Sequence, residues 1–187
     1  YHDNPAYINA LKISVLNFWK KNGKPTKLIM SFHGIPKKSL HQGDPYHCEC
    51  HKTGRLLAKA LNLKDSEYQI CFQSRFGKAE WLKPYFSEVI TNLGKQKIND
   101  LHVICPGFSS DCLETLEEIN IEGKSIFINN GGKNYKYIPA LNANLYWIEA
   151  MGQILNANLQ GWIDPKWSLI KQQKKSAATK KQAEKFK

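Results

Sequence analysis

Residues 27–33 have the sequence KLIMSFH, a short apolar run that ends in a histidine and is followed directly by Gly34. Three similar runs, each bounded by turn residues, occur further along the chain: YQICFQS (68–74), LHVICPG (101–107) and KSIFINN (124–130). Short apolar runs of this kind are typical of buried strands. The sequence therefore predicts four buried strands.

The segments between and after these runs carry apolar residues at helical spacing. They cover residues 50–63, 81–96, 112–119 and 144–158. Strands that alternate with helices are typical of a parallel sheet with right-handed crossovers. The fold class predicted from this pattern is α/β, a Rossmann-like parallel sheet with flanking helices.

Polar side chains follow several of the predicted strands. His33 ends the first, Ser74 and Arg75 end the second, and the segment PGFSSDCLETLEEI (106–119) follows the third. In open α/β sheets, ligands bind beyond the carboxyl ends of the strands. These groups therefore indicate a functional site at one edge of the sheet.

Each of these residues also has a structural interpretation. A histidine that closes a strand can be a hydrogen-bonded structural group. Asp111 and Glu114 have the spacing of a helix N-cap and its partner three residues later, the reciprocal capping box. A cap and a functional role are compatible, so both interpretations stay open for this pair.

Two other patterns favour ordinary structure. Cys48, Glu49, Cys50 and His51 suggest a metal site, but structural zinc uses two ligand pairs and the sequence has no second Cys-x2-4-Cys pair. We expect these residues to begin a helix. The segment NNGGKNY (129–135) lacks the phosphate-binding glycine patterns and predicts a tight turn.

Composition limits the class of protein. The chain has 187 residues, 42% of them hydrophobic, which is enough for one ordinary domain with appendages. It shows no secretory signal and no apolar run long enough for a bilayer, and its five cysteines are an odd number, so we expect reduced thiols and a cytoplasmic location. Because Tyr1 is not a methionine and begins within a helical pattern, we expect a fragment of a longer protein.

The charge is concentrated at the end of the chain. The formal net charge is +11, of which residues 166–187 supply +7 through eight lysines and Glu184. Lys-rich extensions of this composition are typically solvated and disordered, and a peripheral contact with an anionic membrane stays open. No aromatic residues are interleaved with the basic ones as in a base-stacking surface, so we expect no nucleic-acid partner.

Several motifs together resemble those of the ferrochelatase family from about residue 1 to about residue 157. In chain order they are SFHGIP (31–36), GDPY (43–46), FQSRFG (72–77) with WLKPY (81–85), PGFSSDCLETLEEI (106–119) and GGKNYKYIPALN (131–142). The resemblance implies two similar Rossmann-like halves, of which this chain is the second. It assigns residues 1–22 to the terminal helix of the missing first half, 23–157 to the C-terminal chelatase domain and 158–187 to a disordered Lys-rich extension.

The resemblance also implies roles for individual residues. His33 matches the family's active-site histidine and Glu114 the acidic partner across the cleft, both as catalytic groups and as metal ligands. Asp111 corresponds to a neighbouring support. The implied pocket positions are Tyr46, Ser74, Arg75 and Trp81. Cys112 stands where some members have histidine, which argues against a mechanism that needs a second imidazole there.

The implied activity is the insertion of Fe²⁺ into protoporphyrin IX in haem biosynthesis. Such a reaction needs a base for the two pyrrole protons and loose nitrogen and oxygen ligation for the metal, which a histidine and a carboxylate supply. The implied partners are protoporphyrin IX, ferrous iron as substrate and the missing N-terminal half. No tightly bound cofactor is expected, and no iron-sulfur cluster, because no cysteine follows Cys112. A cobalt or nickel tetrapyrrole chelatase and a non-catalytic tetrapyrrole-binding module stay open as alternatives.

Overall fold

The computed structural model describes residues 1–162 and 166–185. The chain divides into two compact units, Tyr1–Met151 and Gly152–Lys187. All strands and the candidate site belong to the first unit, which is therefore the part considered for function.

A four-stranded parallel sheet forms the centre of the first unit. Its strands are β1 Lys27–His33, β2 Tyr68–Gln73, β3 Asp100–Ile104 and β4 Asn134–Ile138. Their order is β2-β1-β3-β4, and all three neighbouring pairs are parallel. The five inner residues of β1 are buried, as expected for a central strand covered by helices on both faces. The predicted α/β fold with a parallel sheet is confirmed.

Helices occupy both faces of this sheet. They are α1 Pro5–Asn22, α2 Lys37–His41, α3 Tyr46–Ala60, α4 Phe86–Lys95, a π-helix Glu114–Glu122, α5 Gly123–Asn129, α6 Leu145–Asn158 and α7 Leu169–Glu184. On α3, Gly54 packs against Ile70 and Met30, where a Cβ would meet the Ile70 side chain at 2.8 Å or less. Side chains alternate along a strand, so α3 covers the face of the sheet that carries these two residues.

The opposite face packs against α4, the π-helix and α5. Its core combines strand residues such as Ile29 and Val103 with Ile90 of α4, Ile119 of the π-helix and Phe127 of α5. Burial of large apolar side chains of this kind is the main favourable contribution to the fold. The core therefore fixes the π-helix and α5 to the sheet, and with them the residues at the edge of the sheet.

The fourth predicted strand was wrong. Residues 124–130 lie mostly in α5, which continues the π-helix without a break, and the fourth strand is Asn134–Ile138. A short apolar run with β-branched residues is compatible with a buried strand or a buried helix, and here the longer helical segment prevails. The predicted tight turn is present, but it joins a helix to a strand, with Gly131 at φ +102°.

The other helices agree with the predicted segments except at their ends. Helix α3 begins earlier than residue 50, at Tyr46, and α4 begins later than residue 81, at Phe86. Pro84 disfavours the helical conformation of the residue before it, and the extended residue Tyr85 precedes α4. Helix α6 covers Leu145–Asn158 as predicted from residues 144–158.

The Lys-rich extension contains α7, a helix in which no residue is buried. The expected domain boundaries, and disorder of this extension in solution, stay predictions. Within the described residues, no helix is long and apolar enough to cross a membrane.

Candidate active site

The candidate site lies at the carboxyl edge of the sheet, where β1 and β2 end side by side. His33 and Gln73 are paired in the register of these two strands. The π-helix begins with Glu114, and its backbone carbonyl accepts a hydrogen bond from Gln73 Nε2 at 3.0 Å. The strand ends therefore place the start of the π-helix beside His33.

His33 is half-buried and held at two points. Its Nδ1 lies 2.6 Å from the carbonyl oxygen of Gly34, and its own carbonyl accepts a hydrogen bond from the Tyr46 hydroxyl at 2.8 Å. A carbonyl can only accept, so Nδ1 carries the hydrogen in this contact. In the neutral tautomer Nε2 then keeps its lone pair, which leaves that nitrogen able to take a proton or bind a metal.

The chain around His33 has no space for a larger residue at position 34. A Cβ on Gly34 would lie 2.9 Å from the Gln73 carbonyl oxygen and 3.1 Å from the Trp81 ring. Trp81 is buried, and its ring centroid is 6.4 Å from that of His33. Gly34 thus permits the close approach of β2 and Trp81 that positions the imidazole.

Glu114 carries the negative charge nearest to this imidazole. A hydrogen bond from the Cys112 side chain is the main cause that lowers the pKa of the Glu114 carboxyl, and the charge that His33 carries when protonated lowers it further. The carboxyl is therefore ionised at neutral pH. The structure brings together the two residues that the sequence singled out as catalytic and metal-binding groups.

A cavity of about 490 Å³ opens at this edge of the sheet. Its carboxylates come from the π-helix: Glu114, Glu117, Glu118 and Glu122. Three of them are spaced four residues apart, close to one turn of the wide π-helix, and so follow one side of it. The remaining lining residues include Arg75, Tyr85 and Phe86.

Ser74 and Arg75, both predicted pocket positions, line this cavity. The Ser74 amide and hydroxyl donate to the two carboxylate oxygens of Glu118 at 2.7 and 2.5 Å. The Arg75 guanidinium lies 4.5 Å from the centre of the Tyr85 ring, a cation–π contact. The loop after β2 is thereby tied to the π-helix and to the residue before α4.

Tyr46 and Trp81, the other two predicted pocket positions, contact His33: Tyr46 through its carbonyl, Trp81 through ring packing. Tyr46 also lines a second cavity, of about 210 Å³, together with Tyr1, Tyr7 and Phe32. Their role toward a tetrapyrrole stays a prediction.

Asp111 supports the loop that precedes the π-helix. Its carboxylate accepts hydrogen bonds from the Tyr137 hydroxyl at 2.7 Å and from Asn142 Nδ2 at 2.7 Å. Burial alone would raise the pKa of this carboxyl, but these donors, with Thr115 and the Ala140 amide, lower it below its usual value. Asp111 therefore acts as a charged anchor between the loop and the end of β4.

The capping box proposed for Asp111 and Glu114 does not form. Helical geometry begins only at Leu113, and the Asp111 amide donates to Asn142 Oδ1 at 2.8 Å. It is the Thr115 hydroxyl that accepts a hydrogen bond from the Cys112 amide, at 3.0 Å. The Glu114 carboxylate is not used as a cap and faces the cleft.

Sequence reasoning did not single out two groups of this site. Gln73 joins the strand ends to the π-helix, and its Oε1 also accepts from the Cys105 thiol at 3.4 Å. Glu118 binds Ser74. The spacing of Glu114, Glu118 and Glu122 was visible in the sequence, but it indicates one shared face only once the helix is known to be a π-helix.

Fold and site together define an α/β protein with a histidine and an ionised carboxylate at the edge of a parallel sheet, next to an acidic cleft. The sequence model of the ferrochelatase family matches residues 1–159. The chain belongs to the ferrochelatase family.

Curated relatives give the same result. The chain is 60% identical over 168 residues to a ferrochelatase of Nitrosomonas europaea, which covers 90% of this chain and 46% of that protein. It is 58% identical over 163 residues to a ferrochelatase of Methylobacillus flagellatus, which covers 87% of this chain and 47% of the relative. A ferrochelatase of Chromobacterium violaceum is 54% identical over 164 residues, 88% of this chain and 45% of the relative. The chain thus spans about half the length of the relatives it matches.

Proposed function

We propose that the protein containing this chain is a ferrochelatase that inserts Fe²⁺ into protoporphyrin IX to form protohaem. One observation carries the proposal: His33, with Nε2 free, lies beside the ionised Glu114 at an acidic cleft in a chain of this family. The relatives named above are called ferrochelatases, which supports the same activity here.

The reaction exchanges two pyrrole N–H protons for one Fe²⁺. The metal forms bonds to the four ring nitrogens while two of those nitrogens lose protons, so the enzyme must accept protons and hold the cation briefly. His33 Nε2 accepts a proton and passes it to solvent, and the Glu114 carboxylate attracts the metal and serves as an oxygen ligand. Iron is a substrate in this scheme.

The carboxylates of the π-helix supply the field for the cation. Four glutamates line one cavity, and a cleft lined by charge of one sign concentrates counter-ions. In the described part of the chain no three His, Cys, Asp or Glu side chains come together as a metal site. Weak, two-ligand holding by His33 and Glu114 suits a metal that must be handed on.

The remainder of the macrocycle pocket is assigned to the missing first half. This chain spans about half of its relatives, so the N-terminal half of the same protein is the expected partner. We propose that the complete protein lies in the cytoplasm, where its five thiols stay reduced, and that it uses no resident cofactor or iron-sulfur cluster.

A peripheral membrane contact through α7 is part of the same proposal. Trp167, Leu169 and Ile170 are exposed, and four lysines of α7 lie on one face by helical spacing: Lys171, Lys174, Lys175 and Lys181. Lysines near an anionic bilayer each contribute about 1 kcal/mol to binding, and exposed tryptophan favours the interface. Salt-sensitive binding to phosphatidylserine vesicles, lost when the four lysines become glutamines, would support it, and preferential binding to nucleic acid would contradict it.

The test uses the intact protein under anaerobic conditions with protoporphyrin IX and Fe²⁺. Haem formation is measured by absorbance, with Co²⁺ and Ni²⁺ in parallel. We expect Fe²⁺ insertion in the wild type, a loss of about 10²- to 10⁴-fold in His33→Ala, and no change in His41→Ala, an exposed histidine of α2. A folded wild-type protein that inserts only Co²⁺ or Ni²⁺, or that binds porphyrin without turnover, would replace the proposal with one of the two alternatives.

A further inference from the structure

A pair of histidines lies on α3, outside the candidate active site. His47 and His51 are four residues apart, and their ring centroids are separated by 4.5 Å with an interplanar angle of 46°. Residues four apart on a helix lie on the same face, one above the other. The two imidazoles therefore present their nitrogens from adjacent turns.

Neither imidazole has a polar partner. Both rings pack against the buried Phe72 ring, at centroid distances of 5.7 Å for His47 and 6.1 Å for His51, and both are half-exposed. Among residues 1–162 and 166–185, neither ring makes a hydrogen bond or an ion pair. Phe72 thus supports one side of the pair, while the ring nitrogens are left for a ligand from outside the chain.

The environment favours the neutral form of His51. Burial is the main cause that lowers the pKa of this imidazole, and the charges of His47 and Arg55 lower it further. At neutral pH a neutral imidazole keeps the lone pair that binds metals.

We propose that His47 and His51 together bind one divalent cation of the borderline class, with Cu²⁺ tightest, followed by Ni²⁺ and Zn²⁺. Two histidines at this spacing on a helix are a known bidentate arrangement for zinc, and imidazole nitrogen suits all three ions. Each ring contributes one nitrogen, and water fills the other coordination positions.

This site is distinct from the pair His33 and Glu114. Helix α3 covers the face of the sheet that carries Met30 and Ile70, and Phe72 points to the same face by strand alternation. Gln73, which holds the start of the π-helix, points to the other face. The intact protein should therefore bind two metal ions at separate places.

The experiment measures Cu²⁺ binding to the intact, untagged protein carrying His33→Ala and Glu114→Gln, which remove the first site. Isothermal titration gives stoichiometry and affinity, and electron paramagnetic resonance counts the nitrogen ligands. We expect one ion with two nitrogens. His47→Ala and His51→Ala should each weaken binding at least about tenfold, since even indirect partners of metal ligands affect affinity roughly 10- to 100-fold. His41→Ala is the matched control and should bind unchanged.

Arg55 provides a second test with the opposite sign. Its cationic side chain lies one turn beyond His51 and repels a bound cation. Arg55→Gln should therefore tighten Cu²⁺ binding. The proposal is overturned if either histidine variant binds as tightly as its parent, or if the resonance shows fewer than two nitrogens. Because the readout is binding with the first site removed, it is independent of whether the protein inserts iron.

Discussion

His33 and Glu114 separate the needs of chemistry from those of folding. His33 is fixed through Nδ1 and its own carbonyl, so Nε2 is not needed for the fold. The Glu114 carboxylate likewise has no capping role, and its contact with the core is made by its backbone carbonyl. Side-chain changes at these positions should therefore affect activity far more than stability.

Glu114→Gln is the sharper of the two changes because it removes charge and keeps size. In the intact protein we expect most metal insertion to be lost, with the midpoint of thermal unfolding nearly unchanged. The folded pKa of Glu114 is lowered, so its contribution to stability is present above the usual pKa of a glutamate and is lost as the pH falls through the lowered value. Turnover and thermal unfolding at neutral pH check both statements. A variant that unfolds readily but keeps its activity per folded molecule would return Glu114 to a structural role.

Asp111→Asn should show the reverse balance. The Asp111 carboxylate anchors Tyr137 and Asn142, and its pKa is lowered in the folded protein, so it stabilises the fold above the usual pKa of an aspartate. We expect a lower thermal midpoint at pH 7, and a difference from wild type that shrinks as the pH falls through the folded pKa. A difference that is constant across this range would show that the charge is not the source of the stability.

At the scale of elements, three strands and the site edge were predictable, but the segment from residue 112 to 138 was not. Residues 27–33, 68–73 and 101–104 are short apolar runs between turns, and their pattern was sufficient. The run 124–130 has the same composition, but its apolar residues pack against α4 as a helix. The strand Asn134–Ile138 alternates exposed and buried residues only at its start, so its pattern is weak.

The turn between α5 and β4 depends on Gly132. A Cβ at this position would overlap the ring of the fully buried Phe127. Gly132→Ala should therefore destabilise the protein by about 1–3 kcal/mol through overpacking. Gly152→Ala on α6 is the matched control, because a Cβ there meets nothing within 4 Å and helix propensity favours alanine by about 1 kcal/mol. Urea unfolding of the two variants decides it, and equal stabilities would contradict the assigned overlap.

At the scale of the whole molecule, the chain exposes apolar side chains around the mouth of the site. Leu113 and Phe76 are each 74% exposed, and Leu116 and Ile121 of the π-helix are also exposed. Exposed apolar clusters of this kind mark interaction surfaces. They are the expected contacts of the missing half and of the macrocycle, which the sequence motifs indicated only through their resemblance to a two-half family.

The 187-residue chain by itself should accordingly show little or no metal insertion and a tendency to associate. Half of the proposed pocket is absent, and apolar surface without a partner favours self-association. Light scattering after gel filtration measures the association, and the haem assay measures turnover. Adding the N-terminal half as a separate chain should suppress association and restore activity. A monomeric chain with full turnover would show that the second half alone forms the site.

The π-helix has a consequence for the mutational history open to this protein. Its hydrogen bonds span one residue more than those of an α-helix, so the loss of a single residue between 114 and 122 would return the segment to the commoner α register and turn its glutamates out of line. Such a deletion would regularise the helix and gain stability in exchange for activity. Descendants relieved of selection for metal insertion should drift toward the shorter helix, and its length would then record whether a lineage still makes haem.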